Sequence, residues 1–238
     1  MDIVHRPVAG HCASLKVLVV GATGGTGQAT VERLVAEGHT VTAFSRRASI
    51  RFSASEQLTA LDGDVLQLAD VERAVQGHDA VIVTLGINEN PLRVRLFGSA
   101  ATALDVRSRG TRNVVAAMRK HGVSRLVVQS SYGVGETRKL LRLVDRLLFA
   151  LLLKPQMADT ELQEQTVRAS GMDWVLAQPV HLVDVAGADG VAAEPYVATD
   201  GSTAAMKVAR SSVARFLVRA ALERGFIGRT VAVSGQEI

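Results

Sequence analysis

The stretch from Leu15 to Thr30, LKVLVVGATGGTGQAT, constrains this chain more than any other. Leu15, Val17, Leu18, Val19 and Val20 are an apolar run of the kind that forms a strand buried on both faces of a parallel sheet. Gly21, Gly24 and Gly27 follow at once, and Val31, Leu34 and Val35 then fall at helical spacing. Strand, tight turn and helix are expected in that order. Across Gly21, Ala22, Thr23, Gly24, Gly25, Thr26 and Gly27 the near-bare backbone presents N–H groups at the positive end of a helix, a cradle for a pyrophosphate. Such glycines also serve packing alone; their place between an apolar strand and a helix is what points to a dinucleotide.

The rest of the chain fits one α/β unit. A length of 238 residues suits a single sheet with helices on both faces. With 47% apolar but only 4% aromatic residues, the core must be mostly Val, Leu and Ala. The expected architecture is a single-domain Rossmann fold over residues 15–238, a doubly wound, mostly parallel sheet, preceded by a flexible leader over residues 1–14. That leader has no apolar core of signal-peptide length, and the longest apolar run, Leu147 to Leu153, falls short of the roughly 20 residues of a spanning helix. Cys12 is the single cysteine, so an internal disulfide and a multi-cysteine metal site are excluded and a cytoplasmic location is expected. The net charge of +4 is scattered, without the aromatic platform or basic repeat of a nucleic-acid binder.

Further strands are expected at His39–Phe44, Gln57–Leu61, Asp79–Thr84, Val123–Gln129, Asp173–Ala177 and Thr230–Val233. Helices are expected at Leu68–Val75, Gly110–Lys120 and Asp159–Ala169, with a last one carrying Val213, Phe216, Leu217 and Ala220. Ser45, Arg46 and Arg47 end the second strand, where a carboxylate would bind the ribose 2′-hydroxyl of NAD and a guanidinium pairs with the 2′-phosphate of NADP. Arginines also occur there as a solvated loop; together with the glycine turn they favour NADP. Asp64 is placed to accept from the adenine amino group or to close a turn, and Thr84 to Gly86 to pass beneath the ribose. Ser130, Ser131 and Tyr132 end the fifth strand, and Pro179, Val180 and His181 follow the sixth. Ligands in doubly wound sheets sit beyond these strand ends, so Ser131, Tyr132 and His181 are candidate catalytic groups; the plain reading makes them turn and structural residues. The substrate pocket is expected from the loops 87–106 and 132–158 and the C-terminal part. Within the second loop, residues 137–154 are amphipathic, suited to a lid or subunit contact rather than a membrane surface.

With these residues placed, the chain resembles the atypical short-chain dehydrogenase superfamily, and within it the biliverdin-IXβ and flavin reductases with their NmrA-like relatives. The resemblance runs from Lys16 to Val233. It is carried by GATGGTG (Gly21–Gly27), GDVLQLADV (Gly63–Val71), DAVIVTLG (Asp79–Gly86), GTRNVVAAM (Gly110–Met118), HGVSRLVVQSS (His121–Ser131) and SGMDWVLAQPVHL (Ser170–Leu182). It implies NADP(H) as cofactor, with Gly21–Gly27 on the pyrophosphate, Arg46 with neighbouring Arg47 on the 2′-phosphate, Asp64 and Val65 on the adenine, and Thr84, Leu85 and Gly86 on the ribose side. Ser130, Ser131, Pro179, Val180 and His181 would frame the nicotinamide. The implied chemistry is hydride transfer from NADPH to a conjugated small-molecule acceptor: a flavin, a tetrapyrrole or a quinone. Two departures stand out. Tyr132 is followed four positions later by Glu136, so the Tyr-x-x-x-Lys dyad of the main short-chain branch is missing, and Thr160 stands where related chains often carry a lysine. Ile87 replaces the reductases' basic residue after Gly86. The alternatives are a non-catalytic NADP(H)-sensing regulator of the NmrA kind and a sugar-nucleotide epimerase or dehydratase, which needs the missing dyad. A monomer or small homo-oligomer is expected.

Overall fold

A computed structural model of the protein describes residues 14–86, 102–140, 154–184 and 193–236. The first strand, β1 (Lys16–Val20), shows how the sheet is covered. Val17 and Val19 belong to one buried cluster and Leu18 and Val20 to another. Alternate side chains of a strand point to opposite faces, so two cores flank the sheet. All four are fully buried, which is why the run reads as continuously apolar.

After β1 come α1 (Gly25–Ala36), β2 (Thr40–Ser45), the short α2 (Ala48–Arg51), β3 (Leu58–Asp62), α3 (Leu68–Val75) and β4 (Ala80–Val83). The second half holds α4 (Val106–His121), β5 (Arg125–Gln129), a 3-10 turn (Gly135–Leu140), α5 (Lys154–Arg168) and β6 (Asp173–Pro179). It ends with β7 (His181–Val183), β8 (Tyr196–Ala198), β9 (Lys207–Ala209), α6 (Arg210–Leu222) and β10 (Arg229–Ser234). The main sheet has the order β3-β2-β1-β4-β5-β6-β10-β8, parallel except for β8, which runs antiparallel to β10. β7 and β9 form a separate parallel pair. One core lies under α1 and α6, with Leu34, Phe216 and Leu217; the other lies under α3, α4 and α5, with Val75, Met118 and Val167. The chain winds one way from β1 to β3 and the other way from β4, so the crevice opens beyond the carboxyl ends of β1 and β4.

The Rossmann architecture expected from the sequence is the one observed. Its boundaries differ in instructive places. α4 begins at Val106 rather than Gly110 because Asp159, on α5, accepts the backbone N–H groups of Arg107 (3.0 Å) and Ser108 (3.1 Å) and so caps the helix from another element. α5 begins at Lys154 rather than Asp159, with Pro155 in its first turn, where a missing N–H removes no helical bond. β6 continues through Gln178 to Pro179, in register with β10. Residues 181–183, 196–198 and 207–209 are strands too short to show a period. Residues 87–101 and 141–153, and with them most of the first expected substrate loop and nearly half of the second, lie outside the described residues, as does the leader through residue 13.

Candidate functional site

The glycine turn is fastened to β2 by backbone bonds and to the β4 side by a threonine hydroxyl. Gly21 N–H and Ala22 N–H both donate to the Phe44 carbonyl on β2 (3.0 and 3.2 Å), and Gly24 N–H donates to Gly21 O (3.1 Å). On the β4 side, Thr84 Oγ1 donates to the carbonyls of Val20 (3.1 Å) and Gly21 (3.3 Å). Gly21 has φ +84°, which only glycine adopts without strain. A Cβ on Gly27 would lie 2.4 Å from Gly21 O and 2.7 Å from Thr84 Oγ1, so the helix can approach the strand this closely only without a side chain there. Gly24 is the residue before α1, and no side chain caps that helix start. The first-turn N–H groups are left for an anion.

A cleft of about 580 Å³ opens in front of this turn. Its walls include Gly21, Thr23 and Gly24 from the turn, Ser45, Arg46 and Arg47 from the end of β2, Gly63 to Leu66 after β3, and Thr84 to Gly86 after β4. Thr102, Ala103 and Val106 form the remaining wall. Arg46 Nη2 donates to Thr102 Oγ1 (3.2 Å), tying the arginine at the end of β2 to the approach to α4. Both arginines are exposed. Asp62, at the end of β3, accepts the N–H and hydroxyl of Ser49, and these bonds hold its carboxyl below the usual range. Asp64 lines the cleft while its Oδ1 accepts from Leu66 N–H (3.0 Å), so one oxygen closes a turn. Val65 is nearly buried, its carbonyl taken by Asn113 Nδ2 (2.9 Å), and Leu85 packs in the core beside it. Ala22 is fully buried beneath the turn, and Thr26 is buried in the first turn of α1. Arg210, held by Asp184, lies against Gly25 at the start of α1; a Cβ there would be 2.7 Å from its Cδ.

The residues ending β5 and β6 are disposed differently. Ser130 is fully buried, and its hydroxyl donates to Glu164 Oε1 of α5. The same carboxylate accepts from Gln178 Nε2 (2.7 Å) and Arg168 Nη2 (3.1 Å), while Thr137 Oγ1 donates to Gln178 Oε1 (2.9 Å). Tyr132 is buried, its N–H donates to Pro179 O (3.0 Å), and its hydroxyl donates to Gly201 O (3.1 Å). Burial pushes the phenol up from its ordinary pKa, with Thr203 opposing in part. Val180 is buried with its N–H on Val233 O (3.1 Å). His181 is exposed at the start of β7, with its N–H on Met206 O (3.2 Å). Ser131 is partly exposed, and its hydroxyl has no hydrogen-bond partner among the described residues. Of the residues expected to form the site, Gly21, Thr23, Gly24, Arg46, Arg47, Asp64, Val65 and Thr84 to Gly86 line one cleft, while Ala22, Gly25 to Gly27, Ser130 to Tyr132 and Pro179 to His181 lie outside its walls.

Two features escaped the sequence reading. Glu164 and Gln178 looked like ordinary helix and strand residues, and only the fold brings them together. Arg107 sat in a basic helix start, RSRGTR, indistinguishable from a solvated face. Its Nη1 donates to Gln129 O (3.4 Å), and its Nη2 lies 3.2 Å from where a Cβ of Gly86 would be. Burial pulls its pKa below the ordinary arginine value, and Asp159 opposes this.

Comparison with known proteins shows the family and the fold. An uncharacterised chloroplastic protein of Arabidopsis thaliana is 30% identical over 212 residues, covering 87% of this chain and 72% of that protein. A 2-alkyl-3-oxoalkanoate reductase of Stenotrophomonas maltophilia is 35% identical over 122 residues, half of this chain but only 34% of that enzyme. Among solved structures, an anaerobilin reductase from Escherichia coli O157:H7 superposes with a TM-score of 0.73 at 21% identity, covering 94% of this chain and 98% of that one, a likeness of fold. A family model described as NAD(P)H-binding matches residues 21–224, from the first glycine of the cradle to the end of α6 and just beyond. The match covers most of the chain, and the chain belongs to the NAD(P)H-binding family.

Proposed function

We propose that the protein is an NADPH-dependent reductase that delivers hydride to a conjugated acceptor of flavin, tetrapyrrole or quinone type. The observation that carries this reading is the single cleft in which a bare-backbone cradle and the Arg46–Arg47 pair stand together, with no carboxylate at the end of β2. Arg46 and Arg47 are assigned to the 2′-phosphate, Gly21 to Gly27 to the pyrophosphate, Asp64 and Val65 to the adenine, and Thr84 to Gly86 to the ribose. When bound, NADPH supplies the hydride. Ser131, whose hydroxyl has no partner among the described residues, is assigned to orient the acceptor. The acceptor delocalises the incoming charge and takes its proton from solvent, so no strong protein acid is required. The reductase names of two of the proteins above support reduction as the kind of reaction.

A panel of coloured acceptors, assayed with NADPH and NADH in parallel, tests the proposal. Acceptor-dependent oxidation of NADPH in preference to NADH supports it, whereas tight NADPH binding with no oxidation by FMN, FAD, biliverdin or quinones removes it. A second reading, an NADP(H)-sensing regulator of the NmrA kind, is favoured by one observation: Tyr132 donates its hydroxyl to a backbone carbonyl and is buried. That reading predicts a protein partner whose capture changes between NADP and NADPH.

A further inference from the structure

Arg107 stands on the first turn of α4, and its surroundings leave its charge poorly answered. Asp159, the nearest acid in chemical effect, spends both carboxylate oxygens on the backbone N–H groups of Arg107 and Ser108. It caps the helix rather than pairing with the guanidinium. Among the described residues no carboxylate forms an ion pair with Arg107, and its side chain makes one long bond, to the Gln129 carbonyl. Arginine keeps its proton even when burial lowers its pKa, so this is a delocalised cation partly removed from water with most of its five donors unanswered. Such a group costs free energy unless an anion completes it.

Its position says which anion. The guanidinium reaches from the end of β5, at Gln129, to Gly86 at the end of β4, where the lack of a side chain gives it room. The pyrophosphate cradle is at the end of β1, on the other side of β4. Arg107 thus lies toward the strand end that carries Ser131, away from the arginines at the end of β2. Ile87 supplies no charge in the sequence after Gly86, and Arg107 brings one beside Gly86 from a different element.

We propose that Arg107 is a specificity-determining residue of the acceptor site, its guanidinium receiving a carboxylate or phosphate substituent of the molecule that takes the hydride. This rests on the reductase reading above. FMN and riboflavin share one ring system and differ by a phosphate, so they separate recognition of the anion from recognition of the ring. Binding is followed by quenching of flavin fluorescence on protein saturated with NADP, which requires no turnover, and NADPH affinity is titrated separately.

The wild-type protein is expected to bind FMN about tenfold more tightly than riboflavin, and Arg107→Gln to erase that difference. Riboflavin and NADPH affinities should stay within about twofold, and Arg107→Lys should keep part of the FMN preference. Arg107→Lys also carries the test if the glutamine variant does not fold. Equal loss for both flavins makes the residue structural and overturns the proposal; a loss confined to NADPH assigns the cation to the cofactor and does the same. Failure of the wild-type protein to distinguish FMN from riboflavin, by equal affinity or by binding neither, also overturns it. The reductase reading falls separately, on absence of NADPH oxidation with every acceptor in the panel.

Discussion

The two ends of the crevice are built by opposite means. At β1 the site is made of backbone: Gly21 and Ala22 hang on the Phe44 carbonyl, Thr84 ties the turn to β4, and the shape depends on side chains being absent. At β5 and β6 it is made of side chains that satisfy one another: Ser130, Glu164, Gln178, Thr137 and Arg168 form a buried polar cluster, and Tyr132 reaches Gly201. A backbone site tolerates almost no added volume and loses little stability when its rim charges change. A side-chain cluster behaves in reverse, since removing one member strands the others.

The largest effect should come from adding volume to the backbone end. Gly27→Val places carbon within 2.4 Å of Gly21 O, which neither element can relieve without breaking the turn. NADPH binding should fall by more than about 1000-fold, on the order of 4 kcal/mol, read by fluorescence titration on protein whose circular dichroism is retained. Gly38→Ala is the control: its φ is positive, +85°, a backbone strain that Gly27 in α1 does not carry, but nothing lies within 4 Å of the new carbon. It should cost about 1–2 kcal/mol of stability and leave binding alone.

The side-chain end should break in stability first. Glu164→Leu leaves the Ser130 hydroxyl and one N–H of the Gln178 amide, whose other N–H stays on Val134 O, without an acceptor in a region shielded from water. A loss of about 3 kcal/mol is expected, lowering Tm by roughly 6–12 °C, while NADPH affinity changes by no more than about twofold. A large loss of NADPH affinity in a folded Glu164→Leu protein would mean that the two ends are not independent.

How much of this was legible in the chain follows from the same contrast. The backbone end writes itself locally: the continuous apolar run Val17 to Val20, the glycines directly after it and the arginines after β2 are all short-range signals. The side-chain end is assembled from residues far apart. Ser130 and Tyr132 show hydroxyls at a strand end, but nothing near them tells that Glu164 on α5 and Gly201 after β8 will claim those hydroxyls. The start of α4 was misplaced for the same reason, because its cap, Asp159, comes from another helix. Arg107 reads as surface until Gly86 and Gln129 are brought beside it.

A smaller effect sharpens the cofactor side. Arg46→Ala removes a rim cation without touching the fastened turn, so NADPH affinity should fall about tenfold, or ~1.4 kcal/mol, with NADH within about twofold. Equal weakening of both would deny Arg46 the 2′-phosphate. It would leave the cradle's role intact.

The smallest expected effect is at Tyr132. Its hydroxyl is committed to Gly201 O, and burial raises its pKa, so the proton stays on the folded protein's phenol through the neutral range and beyond the point where a free tyrosine ionises. A phenol that gains no charge below its raised pKa contributes no limb to a rate profile between about pH 6 and 9. Tyr132→Phe deletes one buried hydrogen bond and nothing that titrates there. It should cost about 1 kcal/mol and lower Tm by roughly 2–4 °C, with kcat and its pH profile unchanged. A variant that instead loses a basic limb from the profile at unchanged Tm would show the phenol exchanging protons with the acceptor, and the side-chain end would then hold a reacting group rather than a frame.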